Sequence, residues 1–458
     1  MKPLITVCVV AGAAAVGFVT LASLTSVPVR ARATSSSLHQ PFDSASIDRD
    51  IASNERAVRL DPNAALNWSY VCSAYMTRSR ESDDYYAAIK AERAARRSLK
   101  IRLLGNVGAR NKLVSALLQE HRFRDALAEC EKAERAGIYS DDTALLRIES
   151  LIELGRYAEA RKLQKTKPQV TANAAGYAVL ARLCDVEGKT ETALTYYRRA
   201  TEEVDRNAGM PSNAVAWFHT RLAMQLAKTR RHDAARLEYG RALELYPNDY
   251  KAMAGLARLA TQDGRWQEAI DWGSRSDRIA QMADIRALVG DAYAMLGNQA
   301  QAEEQFRRVA ELVGRPSGIS DGLHEAGPPP GAHAHRLDRQ YALFCADHGR
   351  DPEGAYAAAL RDFQAREDLY SYDTLAWVCL KRGDAAEAAK AISRALTTGT
   401  RDPMVLYHAG MICEATGRVS MARTLLSDAL EIDPHFDGIA APRARALVAK
   451  LSQAERPA

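Results

Sequence analysis

Residues 404–434 read MVLYHAGMICEATGRVSMARTLLSDALEIDP. Two apolar-patterned stretches flank Gly417, and Pro434 follows the second. Apolar residues at i, i+3, i+4 and i+7 put one stripe on each of two helices. A glycine between them supplies the turn, and the proline cannot continue a helix. Two helices of this length cannot bury a core alone, so the stretch needs a neighbour. It has one immediately upstream, in YDTLAWVCLKRGDAAEAAKAISRAL (residues 372–396), where Gly383 takes the place of Gly417. At the same interval Ala376 matches Gly410, Cys379 matches Cys413, Ala388 matches Ala422 and Ala395 matches Ala429. A fixed period of this size specifies stacked helix pairs, each burying the next, rather than a closed globule.

The rhythm extends upstream. Gly349 lies one further period back from Gly383, and Gly297, Gly264, Gly188 and Gly155 mark further turns. Arg230 and His121 fill the same place in two units, where the surrounding alanines and leucines keep the spacing. About ten full units follow from this count, the first beginning near Ala65. The half-unit SIDRDIASNERAVRLDP before it and a helix near Ala441–Lys450 after the last unit are placed to cap the two ends. The expected organisation is a signal peptide or N-terminal membrane anchor at 1–33, a linker at 34–43 and an N-terminal array at 44–313. A Gly/Pro/His-rich loop or hinge at 314–334, a C-terminal array at 335–436 and a capping helix and tail at 437–458 complete it. The run Pro328-Pro329-Pro330 cannot be helical, because each proline lacks an amide donor.

Composition agrees with packed helices. Of 458 residues, 47% are hydrophobic and only 7% aromatic, so small side chains dominate the contacts. The net charge of +5 is spread through interspersed acids and bases, and no basic stripe joins aromatics, which argues against nucleic acid as a partner. Lys2 precedes an apolar run from Leu4 to Leu24, and Ala31 and Ala33 flank Arg32 as a small-x-small site. This pattern predicts export, with cleavage after Ala33 or retention of residues 4–27 as a membrane anchor. Export permits disulfides, yet Cys345, Cys379 and Cys413 recur once per period on successive first helices. Stacked helices about 10 Å apart hold such thiols beyond bridging distance, so they read as small buried residues.

The slots of the repeat resemble the tetratricopeptide repeat, most specifically in the units from Leu369 and Pro403 and across roughly residues 44–436 apart from the proline-rich break. The resemblance implies an all-α, right-handed superhelical solenoid of stacked antiparallel helix pairs, of the bacterial exported or envelope-associated type. It also implies a non-enzymatic scaffold whose first helices line a concave groove for a partner protein or peptide. Projected onto that groove by helical phase, the expected partner-binding residues are Tyr370, Asp373, Trp377, Lys381, Tyr407, Met411, Arg336, Arg339 and Arg258. His408, Glu414, Arg182, Arg221 and Asp291 fall on the same face. Trp377 follows Ala376 directly and is expected to face solvent, while the arginines suit an acidic peptide or a free carboxylate.

Signs of chemistry are sparse. There is no HExxH, no phosphate-binding glycine loop and no Gly-x-Ser-x-Gly. His324, His333 and His335, with Glu325 and Asp338, form the only histidine cluster, and no fixed spacing supports a metal there. Asp83–Asp84 and Asp141–Asp142 read as helix starts. The sequence therefore predicts no catalytic residue, no metal, no cofactor and no small-molecule substrate. An envelope assembly factor anchored by its N-terminus, and a metal-dependent function in residues 314–338, are the alternatives.

Overall fold

The structure, a computed structural model, describes residues 39–314 and 334–454. Helix α1 (Ser46–Leu60) precedes ten helix pairs. The first five are α2–α3 (Ala65–Ser82, Tyr85–Ile101), α4–α5 (Val107–Gln119, Phe123–Arg135), α6–α7 (Asp141–Glu153, Tyr157–Thr166), α8–α9 (Ala174–Val186, Thr190–Asp205) and α10–α11 (Ser212–Lys228, His232–Leu245). Next come α12–α13 (Tyr250–Gln262, Trp266–Ile279), α14–α15 (Ala283–Met295, Gln299–Gly314) and α16–α17 (Ala334–His348, Pro352–Ala365). Then follow α18–α19 (Leu369–Lys381, Ala385–Leu396) and α20–α21 (Pro403–Ala415, Val419–Ile432), and α22 (Ala440–Ala454) closes the series.

Each pair turns through a residue in the left-handed region. In seven pairs this is a glycine, and in the other three it is Asp83 (φ 56°), His121 (φ 60°) or Arg230 (φ 61°). His121 and Arg230 thus hold the glycine's place, as the spacing predicts. Asp84 accepts from the Ala87 amide at 3.1 Å and starts α3 as its N-cap. Within pairs, small residues admit large ones: a Cβ at Gly290 would lie 2.4 Å from the Phe306 ring. All six described cysteines are buried and unbridged.

The chain divides into two compact units within α6, between Arg147 and Ile148. Unit 1, from Phe42, stacks α1 to α5 in order. Its interior is partly polar. Lys112 Nζ on α4 donates to the carbonyl and hydroxyl of Ser69 on α2, at 3.0 and 2.8 Å. Burial lowers the pKa of this ammonium.

Unit 2 holds the rest, with residues 39–41 pairing beside Met210–Ser212. Residues 1–38 and 315–333 lie outside the described residues, and with them the expected signal peptide or anchor and most of the proline-rich break. The helices on either side of that break share one core, with Phe306 of α15 5.7 Å from Phe344 of α16.

Unit 2 also makes contacts between pairs far apart in sequence. Loops that enter its late pairs sit on the turns of its early pairs. The Leu369 amide donates to Tyr157 Oη at 2.9 Å, Gln262 Nε2 donates to the Phe436 carbonyl at 2.8 Å, and His232 Nε2 lies 2.9 Å from Asp433. Lys228 reaches both Asp402 and Tyr370 at 2.9 Å. Two glycines permit the closest approach. A Cβ on Gly188 (φ 72°) would fall 1.9 Å from the Gly399 carbonyl oxygen, whereas one on Gly417 (φ 75°) would meet nothing within 4 Å. Both alanine substitutions carry the same left-handed strain, so their difference isolates the seam. Gly188→Ala is expected to destabilise unit 2 by about 1–3 kcal/mol more than Gly417→Ala, read as the difference between their urea midpoints.

Candidate partner-binding site

From α10 to α20 the first helices of neighbouring pairs pack against one another, and among the described residues second helices make no comparable contact. First helices therefore form one face of unit 2. Side-chain bonds run along that face from helix to helix. Arg182 of α8 bonds Glu149 at 3.1 Å and also Glu153, both on α6. Arg258 of α12 pairs with Asp284 of α14, and His348 of α16 with Asp291 of α14 at 2.9 Å. Trp377 of α18 donates its indole N–H to Asp347 of α16 at 2.7 Å, and His408 of α20 bonds Asp373 of α18 at 2.9 Å.

The expected binding residues divide on this face. Lys381 and Arg258 are exposed. Lys381 Nζ stands 4.4 Å from the Trp377 ring centre. Met411 is half-buried against the core. The expected exposure of Trp377 is overturned: it is 2% exposed, stacked on His408 at 4.1 Å with an 18° interplanar angle. The next pair covers the ring face that the phase within α18 leaves free. Tyr407 (3%) and Asp373 (5%) are buried for the same reason. Tyr370 is half-buried, its hydroxyl held between Lys228 and Asp402, and burial raises its pKa. Arg339 is enclosed by Asp362 and Asp368, at 2.9 and 2.8 Å. Arg336 lies in the first turns of α16, and its side chain is outside the described residues.

One buried station escaped the sequence reading. His219 of α10 lies 2.6 Å from Glu238 and 3.0 Å from Asp205. Periodicity places it on an apolar stripe and gives no signal for partners from two other helices. Burial pulls its pKa down, but Asp205 and Glu238 outweigh that and hold it up, at about 9 against an ordinary 6.5. A folded value above the unfolded one means the stabilisation is fully present below pH 6.5 and is lost as pH rises through about 9. The parent is expected to lose up to about 3 kcal/mol across that window. His219→Gln should flatten the slope in urea unfolding followed at stepped pH.

Among the described residues, no group of three or more His, Cys, Asp or Glu is placed to hold a metal ion. Of the histidine cluster, only Asp338 has a described side chain, and it is buried against Arg361 at 2.6 Å.

Comparison with known proteins bears on the fold. The sequence model of the tetratricopeptide repeat matches residues 220–284 and 374–435. No curated protein matches the chain. Among solved structures, a chain of the APC/C hetero-tetramer Cut9-Hcn1 aligns with 12% identity and a TM-score of 0.33, over 89% of this chain and 93% of that one. Arrays of such repeats mediate protein–protein interaction rather than catalysis. The chain thus carries tetratricopeptide repeats within an all-α array of stacked antiparallel helix pairs.

Proposed function

We propose that the chain is a non-enzymatic scaffold that holds a partner protein or peptide in the concave groove lined by the first helices of unit 2. The observation that carries this reading is the row of first helices itself: Arg258 stands exposed on α12 while paired with Asp284, and Lys381 stands exposed on α18 over Trp377, which is fixed to Asp347. Exposed groups on a rigid row are what a recognition face requires. A photo-crosslinking amino acid at position 258 or 381 should trap a partner. The same group at Leu237, exposed on the second helix α11, should not. Equal trapping at all three positions, or trapping at Leu237 alone, would remove the groove from the reading.

We also propose that residues 1–33 export the chain, either by cleavage after Ala33 or as an anchor that makes it an envelope assembly factor. The apolar run Leu4–Leu24 and the Ala31-Arg32-Ala33 site support this. No helix among the described residues is long and apolar enough to cross a membrane. N-terminal sequencing of the mature chain distinguishes the two routes: a start at Thr34 means cleavage, and an intact start in the membrane fraction means an anchor. An intact start in the cytosol would end the export reading.

A further inference from the structure

One edge of unit 1 is basic and apolar at once. From Arg93 to Gln119 the chain has seven basic residues and no acidic one. Arg110 and Lys112 are buried on partners of their own, Glu129 and Ser69. Lys100 and Arg102, where α3 ends, are exposed, as is Arg56 in α1, and among the described residues none of the three has a carboxylate within ion-pair distance. Arg102 reaches only the Leu104 carbonyl, at 3.4 Å. Four leucines stand among these charges. Leu60 ends α1, Leu66 lies in the first turn of α2, and Leu103 and Leu104 lie in the loop from α3 to α4; they are 82%, 62%, 54% and 74% exposed. Hydrogen bonds bring their segments side by side. Ser98 Oγ, in the last turn of α3, donates to the Ala65 carbonyl at 2.7 Å, and Asn106 Nδ2 donates to Ser98 Oγ at 3.0 Å. Asn67 Nδ2 donates to the Ala57 carbonyl of α1 at 3.4 Å. The one carboxylate in the two loops, Asp61, accepts from the Asn63 amide.

A single exposed leucine is ordinary, whereas four on one edge mark a surface that something covers. At such exposure the side chains protrude, so whatever covers them must take them in. A bilayer interface does this. Leucines enter the boundary of the acyl chains, while flanking lysines and arginines rest their stems there and keep their charged heads among the phosphates. The unpaired cations choose the lipid, because an anionic leaflet attracts them and a neutral one does not. We propose that this edge of unit 1 docks on a membrane surface containing anionic phospholipid. The site is separate from the first helices of unit 2 and from residues 1–33, and it needs neither reading.

The test places an environment-sensitive fluorescent amino acid at position 66 of the full chain. The chain is titrated with vesicles of phosphatidylcholine and phosphatidylglycerol in equal parts, beside vesicles of phosphatidylcholine alone. Emission should move to the blue, with a half-shift at a lipid concentration at least about thirtyfold lower for the anionic vesicles. Added salt should narrow that gap. Lys100→Gln with Arg102→Gln should raise the half-shift concentration for anionic vesicles about twentyfold, the scale of two charges at a bilayer surface. Leu103→Ser with Leu104→Ser should raise it about tenfold or more. The same label at Leu237, a lone exposed leucine of α11, should not shift, and thermal melts of all variants report folding. Equal shifts with the two kinds of vesicle overturn the proposal, as does an equal shift at position 237. So does a folded Lys100→Gln/Arg102→Gln variant that behaves like the parent. Silence at position 66 with both vesicles also overturns it and leaves the edge to a protein. A chain carried to the vesicles by residues 1–33, with no shift at position 66, counts against this edge and not against the export reading.

Discussion

Trp377→Ala is expected to destabilise unit 2 by about 3–5 kcal/mol, not to leave the fold intact while weakening a surface. The ring fills space between α18 and α20, where His408 stacks on it and Tyr407 packs at 5.8 Å. Truncation removes that volume and leaves the Asp347 carboxylate without its indole donor. It also frees His408 from its stacking partner, so the cost spreads to the Asp373 bond. Trp377→Phe keeps most of the volume and loses only the N–H bond, so it should cost about 1–2 kcal/mol. Guanidinium unfolding followed by far-ultraviolet circular dichroism ranks the two. An unchanged midpoint for the alanine variant, with partner binding lost, would return Trp377 to the surface.

Arg339→Met should be comparably damaging, at about 3–5 kcal/mol, because it removes one member of a buried charge cluster. Asp362 and Asp368 are both buried, and Arg339 bonds each. Burial pushes the Asp362 carboxyl upward, but Arg339 and Arg366 more than offset this and hold it below its ordinary value. A depressed folded value means the contribution is present above the unfolded pKa of 3.8 and disappears as pH falls through the folded one. The gap between parent and variant should therefore be wide at pH 7 and shrink in acid. A gap independent of pH would show that lost side-chain packing, not stranded charge, is responsible.

Much of this molecule was legible in its sequence, and the illegible part has a common cause. Spacing located the turns, including those where Arg230 and His121 stand in for glycine, because a turn is decided locally. The same phase put Arg258 and Lys381 at positions of first helices that the structure leaves exposed. It failed for Trp377, Tyr407 and Asp373, since helical phase reports which side faces the paired helix but not what the next pair covers. It was silent on His219, whose carboxylates come from α9 and α11, and on whether a given arginine already has a counter-charge. Asp402 shows the limit well. The structure makes it the N-cap of α20, accepting from the Met404 amide at 3.0 Å. Yet nothing local announces its ion pair with Lys228, which arrives from the far end of α10.

The contacts between early and late pairs change how unit 2 should come apart. A stack joined only to its nearest neighbours frays from its ends, one pair at a time. Here Leu369 is tied to Tyr157 across 212 residues, Asp433 to His232 across 201 and Phe436 to Gln262 across 174. Fraying at either end must break bonds that hold the other. Hydrogen exchange in α7 and α18 should accordingly share one opening free energy, a single cooperative block in place of a gradient. Assembly must also wait for ends this distant to meet, so the last step of folding should be slow for an all-helical chain.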